Sequence, residues 1–149
     1  MAFLGIGNVI QTKYGSKLNA FSMTGTTMLN TGLTVSITSI GANSKFMIWC
    51  SLRSQIQGGV NKGNMMVLRS SLDSYASNLA GSLMINDWST WDQDGGSIIY
   101  EHSPSQAAST GITYRIYMGD TRFGSSLYLN DTWSYPITGT YITIQEIGA

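Results

Sequence analysis

Leu33, Val35 and Ile37 alternate with Thr34, Ser36 and Thr38, the period of a strand with one face in a core and the other in water. A Gly41-Ala42-Asn43-Ser44 turn follows, and then the pattern changes. Along 45–53, Phe46, Ile48, Cys50 and Leu52 fall on one face while Met47 and Trp49 fall on the other, so both faces carry bulky apolar groups. A lone sandwich buries one face of each sheet. Leaving Met47 and Trp49 in water forgoes about 1.5–3 kcal/mol for each large side chain. The second face therefore requires a cover, and another copy of the chain is the simplest one.

Period-two alternation also predicts strands at 9–14, 65–70, 97–100, 111–118, 125–129 and 140–147, with 17–24 a strand or an extended arm. Segments 31–38 and 45–53 read as a hairpin. In 111–118, Ile112, Tyr114, Ile116 and Met118 alternate with Thr113, Arg115 and Tyr117; in 140–147, Ile142 and Ile144 oppose Tyr141, Thr143 and Gln145. Tyr117 and Tyr141 thus join Met47 and Trp49 as large groups on the less buried faces, and these four are the expected subunit interface. Residues 57–64 read as a loop, 88–96 as an aromatic and acidic loop, and 71–86 as irregular with strand-like ends at 83–85. Eight or more strands at this spacing, with no sustained helical period, predict an all-β fold: an antiparallel, jelly-roll-like β-sandwich forming a single domain over 1–149. Phe3, Leu4 and Ile6 lie ahead of the first strand, in a possible N-terminal arm over 1–8.

Composition sharpens this picture. The chain has 149 residues, enough for one core. Charged residues are 11% of it, with eight basic and eight acidic side chains giving a net charge of zero. No basic run exists to follow a phosphate backbone, which argues against nucleic acid as a partner. A weakly charged surface does little to keep copies apart. The single Cys50 has no partner in its own chain, so disulfides play no part, and synthesis in a reducing cytoplasm is expected. The first residues lack a basic n-region and an unbroken apolar run, and no segment approaches a membrane span, so neither secretion nor membrane insertion is expected.

Candidate chemistry is sparse. His102 is the only histidine, and Cys50 sits among apolar neighbours where thiols are usually inert, so no catalytic residue is expected. A zinc site needs more His and Cys than are present. Asp92-Gln93-Asp94-Gly95 begins like a calcium loop but lacks the later bidentate acid, so no metal or cofactor is expected. Asp87, Asp92, Asp94 and Glu101 lack the groove-building insertion of a glycoside hydrolase. Trp88 and Trp91, with Asp92 and Asp94, fit three readings: stacking on a sugar ring, anchoring a capsid or subunit contact, or core packing. Arg53, Arg69 and Arg115 stand among apolar neighbours on strands, either solvated or pairing with Glu101, Asp120 or Glu146 across subunits.

A succession of short words runs along nearly the whole chain: Gly32-Leu33-Thr34-Val35-Ser36-Ile37, Ser44-Lys45-Phe46-Met47-Ile48, Leu68-Arg69, Ser103-Pro104, Thr113-Tyr114-Arg115-Ile116 and Glu146-Ile147. In this order they resemble a family of small β-rich bacteriophage virion proteins and fibre-tip domains, with His102 standing where that family's pattern leads one to expect an acid. The resemblance implies a jelly roll that assembles as a homotrimer and serves as a non-enzymatic virion protein made in the host cytoplasm. Partners implied are the major capsid protein or tail proteins of the particle, with host surface polysaccharide as a further candidate. Because the first strand begins near Val9 with no shaft before it, a capsid decoration or cement protein is expected ahead of a tail-fibre tip or receptor-binding module. A cellular lectin-like or cytokine-like sandwich is the remaining class, disfavoured by the lack of secretion signal and disulfides.

Overall fold

The structure is a computed structural model and describes residues 7–57, 62–86, 91–120, 126–129 and 139–148. These form ten strands: β1 (Val9–Lys17), β2 (Phe21–Thr24), β3 (Leu29–Thr38), β4 (Lys45–Gln57), β5 (Lys62–Ser70), β6 (Ala80–Asn86), β7 (Trp91–His102), β8 (Gly111–Asp120), β9 (Ser126–Leu129) and β10 (Thr140–Ile147). One short 3-10 turn, Ser71–Asp73, lies between β5 and β6.

Every pairing is antiparallel. One sheet runs β1-β10-β4-β7. Along 54–57 the far end of β4 leaves β10 and pairs with β9, which pairs in turn with β2. The other sheet runs β3-β8-β5-β6. The first and last strands are neighbours and each sheet draws strands from both halves of the chain, which is the jelly-roll arrangement expected from the sequence.

The alternation along each strand decides which face is inside. Phe46, Ile48, Cys50 and Leu52 of β4, with Ile142 and Ile144 of β10, pack against Leu33, Val35 and Ile37 of β3 and against Ile112, Ile116 and Met118 of β8. All are at most 5% exposed. The fully buried Tyr114 of β8 approaches Phe46 across this core with ring centroids 6.4 Å apart.

Residues 62–64, read as loop, open β5, and 80–86, read as irregular with strand-like ends at 83–85, form β6. Two further changes bear on topology. Segments 31–38 and 45–53 are not a hairpin: β3 pairs with β8 while β4 pairs with β10 and β7. Both strands carry an apolar face, and a jelly roll buries those faces against one another from opposite sheets instead of side by side in one. The link 39–44 is a crossover, tied down by Ser39 N–H to the Thr110 carbonyl (2.9 Å) and Asn43 N–H to the Gln106 carbonyl (2.9 Å). The aromatic and acidic segment is not a loop throughout, since 91–96 are extended backbone paired with β4, from Trp91 opposite Gln57 to Gly96 opposite Leu52. Two glycines and three polar residues mask the strand in sequence, and the ladder to β4 supplies what local propensity does not.

Glu146 holds the crossover in place. Its side chain has no exposed surface, a position that costs free energy unless the charge is hydrogen-bonded. The carboxylate accepts from Ile40 N–H (2.9 Å), from Gly41 N–H (3.1 Å) and from the Gln11 amide, which also donates to the Thr38 carbonyl. One acid thereby joins β1, β10 and the β3–β4 link.

Candidate assembly face

The outer side of the β1-β10-β4-β7 sheet is set by register. Tyr14 lies opposite Thr143, Thr143 opposite Trp49, and Trp49 opposite Ile99, so one residue from each strand forms a row across the sheet. The next row is Ser16, Tyr141, Ser51 and Ser97, and the row on the other side is Thr12, Gln145, Met47 and Glu101. Ile99 is 66% exposed and Tyr14 59%. Met47, Trp49 and Tyr141 are half-buried. The Tyr14 and Tyr141 rings stack at 5.9 Å, and with Trp49, Ile99 and the hydroxyl side chains they line an open depression of about 480 Å³.

Large apolar side chains standing together in water are unusual on a protein surface, and such a patch is a candidate contact site. The Tyr14 row and the Ser16 row carry no charge. Charge stands at the borders, where Lys45 Nζ and Glu101 Oε1 pair at 3.1 Å on one side and Arg53 follows Ser51 along β4 on the other. An apolar centre with a polar rim is the anatomy of a protein interface.

Of the four residues expected at a subunit interface, Met47, Trp49 and Tyr141 share this face. Tyr117 does not. It lies on the outer side of the β3-β8-β5-β6 sheet, opposite Val67, which has no exposed surface. There the Arg69 guanidinium sits 4.7 Å from the Tyr117 ring centre, and Arg115 sits 4.2 Å from that of Tyr75. Tyr14 and Ile99 belong to the outer face of the β1-β10-β4-β7 sheet but were not singled out from sequence. Their one signal is the Ile98-Ile99 doublet, which in any strand must put one isoleucine on each face.

The other candidates are placed as follows. Trp91, Asp92 and Asp94 occupy backbone positions on β7, opposite Gln57, Ile56 and Ser54 of β4. Trp88 lies outside the described residues, as do Phe3, Leu4 and Ile6 of the N-terminal arm. Cys50 is 3% exposed, and burial pushes its thiol up to about 12, away from the thiolate. His102 is the last residue of β7, paired with Phe46, and its Nδ1 meets the Tyr114 hydroxyl at 2.8 Å. Cys50 pairs with Ile98, so four residues of strand, roughly 13 Å, separate the thiol from the imidazole. Among the described residues no group of three or more His, Cys, Asp or Glu side chains is placed to hold a metal ion. No helix among them is long and apolar enough to cross a membrane. Of the acids weighed as arginine partners, Glu101 is paired with Lys45 and Glu146 with backbone N–H groups.

No protein-family model matches the chain, and no curated protein matches it in sequence. Solved structures do match in fold. The chain is similar to a structure of Eiger TNF from S. frugiperda at 8% identity and a TM-score of 0.53, covering 94% of each chain. It also aligns with the VP2 protein of infectious bursal disease virus, at 11% identity and a TM-score of 0.44, covering 91% of this chain and 36% of that one. A third is a carbohydrate-binding module from Cellvibrio mixtus lichenase 5A, at 15% identity and a TM-score of 0.38 over 93% of this chain and 98% of that one. At such identities the first likeness concerns the jelly-roll fold alone.

Proposed function

We propose that this chain is a non-enzymatic structural protein of a bacteriophage particle: a homotrimeric decoration protein that stabilises the capsid lattice. The observation that carries the assembly part is the uncharged aromatic row Tyr14, Thr143, Trp49 and Ile99 on the outside of a sheet whose inner face already fills the core. Covering it with a second copy removes that surface from water at about 25 cal/mol per Å². Three copies bound to one lattice would also engage it together, raising avidity without new contacts. The placement on a phage particle is supported by the ordered sequence words from Gly32 to Ile147 that resemble small phage virion proteins.

Sedimentation at micromolar concentration tests assembly. The protein should run at three times its monomer mass, and Trp49→Asp should run as a monomer with an unchanged far-ultraviolet spectrum, because Trp49 lies outside the core cluster. A wild-type monomer would remove the basis for a self-assembly face. Antibody labelling of particles distinguishes the two sites: label spread over capsid shells agrees with decoration, whereas label confined to the tail end replaces it with a fibre-tip or receptor-binding role.

A further inference from the structure

Arg69 of β5 and Arg115 of β8 lie directly opposite one another in register on the outer face of the second sheet. Like charges in that relation repel. The structure nevertheless gives neither an acidic partner among the described residues. Asp73, the acid in the turn between β5 and β6, accepts from Ser77 N–H at 2.9 Å instead.

The two guanidiniums are held differently. Arg69 is committed to its own chain: Nε donates to Asn78 Oδ1 at 2.8 Å and Nη1 to the Tyr75 carbonyl at 3.1 Å, which fixes the 75–78 segment over the sheet. That segment supplies Tyr75, whose ring lies under the Arg115 guanidinium. Arg115 itself donates to no group of the chain among the described residues. Its planar face is occupied by an aromatic ring while its edge, with the donors, is left open. A guanidinium in that pose is pre-oriented for a planar, two-oxygen acceptor.

We propose that Arg115, positioned by Tyr75 and Arg69, is a binding site for a carboxylate side chain of an acidic segment on a partner protein. A bound carboxylate would relieve the Arg69–Arg115 repulsion, which no carboxylate among the described residues relieves. A sugar acid is the weaker fit. Saccharide rings are gripped by stacking on open aromatic faces, and the faces of Tyr75 and Tyr117 next to this site are each taken by a guanidinium. The site is on the opposite sheet from the aromatic assembly face and does not depend on it.

The test is a titration of the purified protein with a hexaglutamate peptide and, in parallel, with polygalacturonate at matched carboxylate concentration, following the arginine side-chain N–H resonances. The peptide is expected to shift the Arg115 signals and to bind more tightly than the polysaccharide. Arg115→Ala is expected to weaken peptide binding about tenfold or more, as loss of a charge-assisted contact does. Arg115→Lys keeps a cation near Tyr75 but loses the planar donor edge, so it should weaken binding with an unchanged melting temperature; it carries the test if the alanine variant does not fold. Undiminished binding by the lysine and alanine variants overturns the proposal. So does tighter binding of polygalacturonate, or no binding of either probe.

Discussion

At the scale of single residues, the buried Glu146 and the half-buried His102 each make the fold respond to acid. Burial pushes the Glu146 carboxyl up, but the Gln11 amide and the N–H groups of Gly41 and Ile40 outweigh it and hold the carboxyl below its ordinary value. A carboxyl held low in the folded chain contributes stability that is present above the unfolded value, about 4.3, and is lost as pH falls through the folded one. Glu146→Gln should therefore cost about 1–3 kcal/mol in urea unfolding at pH 7, the range for a broken charged hydrogen-bond set, and the difference should shrink toward pH 3. Equal stability at pH 7 would mean that the charge does not hold the crossover. His102 acts in a higher window. Burial lowers its pKa, with the Asp73 charge opposing, so below about 6.5 the unfolded chain takes up a proton that the folded one resists. Stability should decline as pH drops from 7 through this range and then level off. His102→Gln should flatten that slope while leaving the lower, carboxylate-driven loss in place, as thermal melts between pH 5 and 7.5 would report. Tyr114, on β8 of the opposite sheet, comes within 2.8 Å of the His102 Nδ1, a contact that the residues around His102 in sequence do not show.

At the scale of elements, the strands were legible because alternation is written in neighbouring residues. The span of β10 is as read, and β3 and β8 differ by two residues at one end. Pairing was less legible. The β3–β4 segment looks like a hairpin from its two runs and turn, yet the chain crosses between sheets, and what directs it is the polar lock of Glu146, more than a hundred residues away. Asn43, at φ 54°, adopts the left-handed turn geometry that Asn tolerates. The open edge of the sandwich closes by a close approach of β1 to β3 at Gly15, where an added Cβ would meet the Thr34 carbonyl oxygen inside contact distance and Val35 Cβ at 3.1 Å. Gly15→Ala should accordingly separate that edge and destabilise the fold by about 1–3 kcal/mol, the usual range for overpacking. A neutral or stabilising effect in thermal unfolding would show that β1 can shift away without loss.

At the scale of the whole molecule, the two outer faces are chemically distinct. One has an uncharged aromatic centre bordered by charged residues; the other presents Arg115 over Tyr75. If assembly uses the first, Ile99→Asp should abolish the trimer in sedimentation as Trp49→Asp does, whereas Arg115→Ala should leave the mass unchanged. Loss of assembly on changing Arg115 would contradict the separation of the two surfaces. Part of the aromatic outer face was readable beforehand: Phe46, Ile48, Cys50 and Leu52 alternate with Met47 and Trp49, so β4 carries apolar groups on both sides. Tyr14 and Ile99 were not readable, since a tyrosine beside Lys13 and an isoleucine within a doublet carry no periodic signal. The amino-acid order by itself determined the strands, their inner and outer sides and the scarcity of charge, because side-chain alternation is a local property of extended backbone. Only the tertiary structure decided which strands are neighbours, and so gathered Tyr14, Thr143, Trp49 and Ile99 from four distant segments into one row. Pairing depends on closing the whole core at once, and no window of the sequence contains that information.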